Sequence, residues 1–412
     1  MVTPNPFKPT AGGNPPSLIG REQVVVDFEK GIDNGVGAPG RIMLITGARG
    51  TGKTVMLANL AKRARKRKWE VVSETGSNGL CERILEALAP KSSPFDKVTI
   101  KPEVSVLGIG GSIAEVELAK KTMPSSLRKA MHMRLQTLAK HNAGLLITID
   151  EAQASSRDDM VAISTAVQHL VSEDADIAIA IAGLPELVSD LLNDKVLTFM
   201  RRAKREVLAD VPVEEVTRSL YETFNGNGMT LSHELAEQAA QATFGYPYMI
   251  QLVGYNIWDQ VASREHTNLS TVMQEDVIAG IREANNELGI AVCEPELAAL
   301  SEKGIEYLSA LAQFDGPATT ADVAQAMGVT PQYANTYRRR LLDEHVLVEP
   351  KRGEIDFALP YLRTYLREHD LLGYEQDYRH NENGPATWKR CVASGCGALT
   401  SDCTPITPAR CR

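Results

Sequence analysis

Between residues 41 and 182 two kinds of apolar pattern alternate along the chain. Arg41–Thr46, Trp69–Ser73, Gly144–Ile149 and Asp176–Ala182 are near-continuous apolar runs, the pattern of strands covered on both faces. Val55–Lys66, Leu80–Leu88, Ser125–His141 and Asp158–Val171 carry the longer apolar spacing of helices. The alternation predicts a three-layer αβα domain around a parallel sheet. Residues 91 to 122 interrupt it with short β-like pieces, Val98–Ile100, Val104–Ile109 and Ile113–Leu118. They are read as a β-insert at about 97–118, either a surface embellishment or a partner-binding loop.

From Val213 the pattern turns purely helical: Val213–Phe224, Ser232–Thr243, Pro247–Ala262 and Thr271–Glu283. A third pattern follows. Leu297–Phe314, Thr320–Met327 and Thr330–Glu344 read as helices, with Gly328 between the last two. Val346–Glu349 and Ile355–Leu359 form a hairpin turning at Lys351-Arg352-Gly353. Helix, helix, turn, helix and hairpin in that order describe a winged helix-turn-helix. The expected organisation is a flexible N-terminus over 1–16, an α/β domain over 17–210, a helical lid over 211–292, a winged helix over 293–370 and a disordered tail over 371–412.

Composition changes this picture little. At 412 residues the chain has room for two or three domains, and a net charge of −8 argues against general nucleic-acid affinity while allowing a local basic patch. There is no long apolar run for a membrane span and no apolar core for a secretory signal near Met1, so a cytoplasmic protein is expected. Cys391, Cys396, Cys403 and Cys411 crowd the tail with four, six and seven residues between them, which does not match the paired spacing of zinc sites.

The chemistry is concentrated in Gly47-Ala48-Arg49-Gly50-Thr51-Gly52-Lys53-Thr54, a complete G-x-x-x-x-G-K-T loop between an apolar strand and the helical stretch that begins at Val55. The glycines permit backbone dihedrals that residues with a Cβ resist, and the exposed N–H groups can wrap phosphates at a helix N-terminus. Lys53 adds a charge for the β- and γ-phosphates, and the Thr54 hydroxyl suits Mg²⁺. Downstream, Leu145-Leu146-Ile147-Thr148-Ile149 ends in Asp150-Glu151. Asp150 stands where a carboxylate supports the metal, and Glu151 where one can polarise the attacking water. ATP and Mg²⁺ are the expected cofactors. No N-K-x-D guanine motif accompanies the loop.

These motifs resemble the AAA+ ATPases of the branch that includes the origin-recognition (Orc1/Cdc6-like) proteins and the ExeA- and TniB-type ATPases. The resemblance covers roughly residues 17 to 290, with a winged helix appended. It implies that Ile19-Gly20-Arg21-Glu22 lies against the adenine, with Gly20 and Arg21 in contact. Ile181-Ala182-Gly183-Leu184-Pro185-Glu186-Leu187 resembles the segment ending the fourth strand, the sensor-1 position, with Gly183 and Leu184 where a polar residue is usual. Phe199-Met200-Arg201-Arg202-Ala203 falls where the family places an arginine finger acting across a subunit boundary, although Arg201 and Arg202 could equally be solvated charges. Gly245-Tyr246-Pro247-Tyr248 resembles the sensor-2 segment, with Tyr248 where an arginine is frequent. Both departures suggest slow hydrolysis or mainly switch-like use of the nucleotide.

Two basic segments remain. Lys62, Arg63, Arg65, Lys66, Arg67 and Lys68 crowd a helix end, where the dipole favours cations. The third helix of the winged unit is expected to turn Ala334, Tyr337, Leu341 and Leu342 inward. That leaves Gln332, Asn335, Arg338 and Arg339 outward for double-stranded DNA, with Lys351 and Arg352 on the wing. The expected protein is thus a Mg-ATP-dependent AAA+ switch that associates with DNA and with copies of itself or a protein partner. The alternatives are a signalling or defence ATPase of the STAND type and an ATP-binding scaffold, with the winged helix used for protein contacts.

Overall fold

The computed structural model describes residues 4–10, 13, 15, 18–89, 127–185, 187, 198–264 and 270–369, which fall into two compact units divided at Pro295 and Glu296. The expected β-insert at 97–118 and the tail at 371–412 lie outside the described residues.

In the first unit α1 (Glu22–Asp33), β1 (Ile42–Thr46), α2 (Lys53–Lys66), β2 (Glu70–Thr75) and α3 (Leu80–Leu88) precede a helix through 127–139, here α4. Then come β3 (Leu145–Asp150), α5 (Arg157–Ser172), β4 (Ile177–Gly183) and β5 (Lys204–Val207). The strands form one sheet in the order β2-β3-β4-β1-β5, and every pairing is parallel.

Why the apolar runs are continuous is visible in the two cores. Leu44, Ile147, Ile149, Ile179 and Ile181 face one side, packed by Leu80 and Ile84 of α3, Leu127 and Met131 of α4, and Ile163 and Val167 of α5. Met43, Ile45, Leu146, Ala178, Ala180 and Ala182 face the other, packed by Phe28 of α1 and by Met56 and Leu60 of α2. Neighbouring strand residues thus serve opposite layers, so both must be apolar. This is the expected αβα architecture. Two of its elements are additions to the expectation. The face of α1 is Val24, Val25, Phe28 and Ile32, and β5 is an edge strand whose Lys204, Arg205 and Glu206 give no apolar run.

Helices α6 (Val213–Gly226), α7 (His233–Gln241), α8 (Pro247–Ser263) and α9 (Gln274–Leu288) complete the first unit. The expectation of a flexible N-terminus is corrected for Asn5 to Lys8. The Asn5 amide donates to Tyr255 O and to Asp259 Oδ1, both at 3.0 Å. Phe7 is buried, its ring 5.3 Å from that of Phe224, which is in turn 5.5 Å from Trp258. One aromatic side chain with a pocket to fill outweighs the loop-like composition around it.

The second unit contains α10 (Glu294–Ala298, entering from the boundary), α11 (Glu302–Ala312), β6 (Ala318–Thr319), α12 (Thr320–Ala326), α13 (Pro331–Asp343), β7 (Leu347–Val348), β8 (Glu354–Phe357) and α14 (Pro360–Glu368). The single helix expected over Leu297–Phe314 is two, because Ser301 Oγ accepts from Gly304 N and restarts the helix. Thr319 with Asp322 caps α12, Thr330 caps α13, and Gly328 takes φ +67° between them. The strands pair antiparallel in the order β6-β8-β7, so β7 and β8 form the expected hairpin. Both β6 and α14 are additions to the expected winged unit.

Candidate functional site

Parallel strands all deliver their C-terminal ends to one edge, and the residues of interest gather there. The loop from Gly47 to Gly52 leaves β1 and enters α2 at Lys53. Gly52 is the N-cap at φ +90° with no side-chain cap, so the first N–H groups of α2 remain available to an anion. Gly47 has no room for a Cβ, which would lie 2.5 Å from Thr51 Oγ1 and 2.6 Å from Leu208 O. Thr51 Oγ1 in turn donates to Ala48 O at 2.9 Å, bracing the loop from within.

Lys53 is almost wholly buried, and its ammonium donates to Gly47 O at 2.9 Å and Ala48 O at 2.8 Å. Burial pulls its pKa below the usual lysine value, while Glu151 and Asp150 oppose that pull. Thr54 Oγ1 donates to Asp150 Oδ2 at 2.5 Å, so hydroxyl and carboxylate from α2 and β3 meet as the sequence leads one to expect. Both are hard oxygen donors of the kind Mg²⁺ selects, and the pair fits such an ion. Val55 follows Thr54 on α2, partly buried, and Arg49 lies exposed on the loop.

Glu151 is the first residue past β3, at φ +47° and ψ +41°, a left-handed conformation that non-glycine residues adopt at a cost of about 1–3 kcal/mol. Its backbone N donates to Asp150 Oδ1 at 3.0 Å. The Gln153 amide donates to Glu151 Oε2, and Gln153 Oε1 accepts from Leu184 N, just past β4, at 3.2 Å. Sequence reasoning passes over Gln153; the available signal is its position two residues after the acidic pair.

A second omission is Tyr246. A Cβ on Gly50 would lie 1.9 Å from the Tyr246 hydroxyl, so the phenol rests directly on the glycine loop. Tyr246 is brought there because Val211 N donates to Gly245 O at 2.8 Å, docking the start of α8 beside the exit of β5. Pro247 is the first residue of α8, and Tyr248, the expected contact, is half-buried with its ring edge-on to Tyr246 at 6.3 Å. Burial raises the Tyr248 phenol, with Glu287 adding to the shift. Gly20 takes φ +66°, where a Cβ would meet Glu215 Oε2 at 2.6 Å, and the Arg21 guanidinium donates to Ala209 O.

Arg201 and Arg202 close a short 3-10 turn just before β5 and are exposed. Because β5 runs parallel to β1, with Lys204 opposite Met43 and Val207 opposite Thr46, these arginines precede the far end of the sheet. They are not brought to their own chain's glycine loop. In the basic segment that ends α2, the C-cap Arg67 pairs with Asp33 at 2.7 Å and Glu29 at 2.9 Å, and Arg63 with Glu29 at 3.5 Å, so part of that charge is neutralised internally.

In the second unit Gln332 and Arg339 lie exposed on α13, and Lys351 and Arg352 at the hairpin turn, as expected, while Asn335 is half-buried. Arg338 is a correction. It turns inward, 16% exposed, and pairs with Glu349 of the hairpin at 3.0 Å. A half-buried Tyr337 and a buried Ala334 share the inner side, and Tyr333 is exposed with its ring 5.2 Å from that of Tyr337.

Residues 17–179 match the AAA ATPase domain, and residues 291–366 match a domain of unknown function (DUF8462). The fold is similar to that of a Walker-type ATPase of Pyrococcus abyssi, with a TM-score of 0.54 at 17% identity over 85% of this chain and 96% of that one. It is also similar to the ORC2 protein of Aeropyrum pernix in ADPNP and ADP complexes, with a TM-score of 0.57 at 15% identity over 90% of this chain and 98% of that one. At these identities the likeness establishes the P-loop AAA+ fold. No curated protein matches the chain in sequence. No helix among the described residues is long and apolar enough to cross a membrane.

Proposed function

We propose that this chain is a cytoplasmic AAA+ ATPase that binds Mg-ATP at the C-terminal edge of its parallel sheet, hydrolyses it slowly and uses the cycle as a switch associated with DNA. The observation that carries the reading is the meeting of Thr54 and Asp150 at 2.5 Å, with Lys53 on the same turn and Glu151 next in chain. The AAA ATPase match and the likeness to a protein solved with ADPNP and ADP support it.

In this reading the N–H groups of residues 48–54 wrap the phosphates and Lys53 exchanges its two loop carbonyls for phosphate oxygens. Thr54 and Asp150 would hold Mg²⁺, which neutralises phosphate charge when bound. Glu151 accepts the proton of a water whose oxygen attacks the γ-phosphorus; the bond to the β–γ bridging oxygen breaks, and ADP and phosphate leave. Gly20, Arg21, Pro247 and Tyr248 flank the nucleotide. Arg201 and Arg202, placed away from their own loop, serve a neighbouring copy. Helices over 211–292 act as the lid, and the unit over 293–370 as a winged helix presenting Gln332, Arg339, Lys351 and Arg352 to phosphates and base edges.

The test is steady-state ATP turnover with and without duplex DNA, with Glu151→Gln as the blank. Turnover that needs Glu151 and rises with DNA is expected. Turnover that survives Glu151→Gln, or no turnover by the wild-type chain, overturns the reading. The inward pairing of Arg338 with Glu349 favours a second reading, in which the C-terminal unit contacts protein, as in signalling ATPases. Unchanged turnover with DNA, together with a mass increase in light scattering on adding a protein activator, would select it.

A further inference from the structure

The end of β4 carries Gly183 and Leu184, neither of which offers a polar side chain, yet a polar group stands there. It is the amide of Gln153, reaching across from the strand-end loop of β3. Its Oε1 accepts from Leu184 N at 3.2 Å, and its Nε2 donates to Glu151 Oε2. Gly183 leaves the space it needs, since a Cβ there would lie 2.6 Å from Gln153 Oε1 and 2.6 Å from Leu187 Cδ2. The two strand ends are adjacent in the sheet, with Ile149 opposite Ile181.

We infer that Gln153 is a positioning residue for hydrolysis, tethering the Glu151 carboxylate to the backbone at the end of β4 so that one oxygen is fixed and the other is presented to water. The inference rests on the proposed role of Glu151. Three features carry it. First, the amide can be satisfied in only one orientation. Turned over, it would set NH₂ against the Leu184 N–H and oxygen against the carboxylate. Second, an exposed glutamine held at both ends gives up side-chain freedom that a solvated surface residue keeps. Third, Glu151 sits at positive φ, a conformation that persists only where surrounding contacts determine it. A carboxylate held within a fraction of an ångström of its working position raises the rate of the chemical step without tightening nucleotide binding.

The experiment uses the full chain with Gln153→Ala, Gln153→Glu and Gln153→His, reading kcat, KM, affinity for a fluorescent ATP analogue and the pH profile of turnover. Loss of the tether lowers kcat of Gln153→Ala by about tenfold or more, part of the roughly 10²–10⁴-fold that a general base contributes, with KM and nucleotide affinity within about twofold. Gln153→Glu, nearly the same shape, cannot donate and places a second carboxylate beside Glu151. The tether is then lost and the new charge pushes the base out of place, so kcat falls at least as far as in Gln153→Ala while KM and nucleotide affinity hold. A purely structural role moves melting and does not split kcat from KM in this way. Gln153→His restores turnover above the imidazole pKa, because a neutral imidazole offers one donor and one acceptor, as the amide does.

Folded Gln153→Ala and Gln153→Glu with wild-type kcat, while Glu151→Gln is inactive, would overturn the inference and leave the proposed function standing. If Gln153→Ala does not fold, the kcat of Gln153→Glu decides alone. A wild-type chain without turnover, or one indifferent to Glu151→Gln, overturns both.

Discussion

Arg338 of α13 and Glu349 of the hairpin form an ion pair at 3.0 Å, and the same Glu349 oxygen accepts from Gly353 N at 2.7 Å. One carboxylate therefore fixes the turn of the hairpin and its register against the helix. Arg338 and Arg339 are neighbours in sequence with different work. Arg338→Ala is expected to lower the melting temperature of the C-terminal unit, whereas Arg339→Ala leaves melting unchanged. If duplex DNA binds, Arg339→Ala weakens it and reduces the slope of log K against log salt by about 0.9 for each phosphate that is no longer neutralised. Differential scanning calorimetry and salt-titrated fluorescence anisotropy check the two halves.

The same carboxylate predicts a pH dependence. The Gly353 N–H, then the Arg338 guanidinium, hold Glu349 below the usual carboxylate value. A group whose folded pKa is depressed contributes stability that is present above its unfolded pKa and lost as pH falls through the folded one. The melting difference between wild type and Glu349→Gln is therefore full at pH 7, shrinks below the ordinary glutamate value and vanishes in acid. A difference that persists unchanged into acid contradicts the assignment.

Gly50 predicts the importance of an unforeseen neighbour. At φ +75° it is already unfavourable for a side chain, and a methyl there would run into the Tyr246 phenol. Gly50→Ala is expected to lower nucleotide affinity at least tenfold, about 1.4 kcal/mol. Adding Tyr246→Ala removes the collision but not the left-handed backbone, which alone costs roughly 1–2 kcal/mol. The double variant thus recovers only part of the affinity, as isothermal titration with ATP would measure.

How much of this is legible in the chain depends on the length scale of each cause. The glycine loop, Lys53, Thr54, Asp150 and Glu151 announce themselves because local backbone geometry dictates their residue types at fixed spacing. The three central strands, β1, β3 and β4, are legible because each is covered on both faces. The edge strand Lys204–Val207 is covered on fewer sides, alternates in exposure and so reads as a basic loop. Phe7, Gln153 and Tyr246 are out of reach for another reason: their partners at Phe224, Leu184 and Gly50 are set by tertiary packing, to which sequence spacing carries no pointer. A helical wheel turns Arg338 outward because it knows the helix but not the hairpin beside it.

Phe7 tests how far the N-terminal segment belongs to the first unit. Its ring is 2% exposed, and a Cβ on Gly254 of α8 would lie 2.4 Å from it. Phe7→Ala leaves a cavity beside Phe224 and Trp258 and is expected to cost about 3 kcal/mol, the lower end for buried phenylalanine. Gly254→Ala should destabilise by overfilling the same pocket. Urea titration followed by the fluorescence of buried Trp258 measures both, and a Phe7→Ala midpoint equal to wild type would mean the segment is not docked in solution.

Arg201 and Arg202 predict a dependence on neighbouring copies. Both are exposed and precede β5, whose register puts them toward the end of the sheet away from the glycine loop. If either arginine stabilises the transferring phosphoryl, it does so on another copy. Arg201→Ala with Arg202→Ala then lowers turnover while leaving ATP affinity unchanged, because the missing charge acts in the transition state. The decisive arrangement is a mixture. A Glu151→Gln chain keeps both arginines but no base, and the double-alanine chain keeps the base but no arginines. Mixed in equal amounts, they form interfaces where an intact Glu151 meets intact arginines, so turnover rises above the sum of the two alone. It should also grow more than linearly with protein concentration, as assembly requires. Turnover of the mixture equal to that sum would assign Arg201 and Arg202 to solvated surface charge.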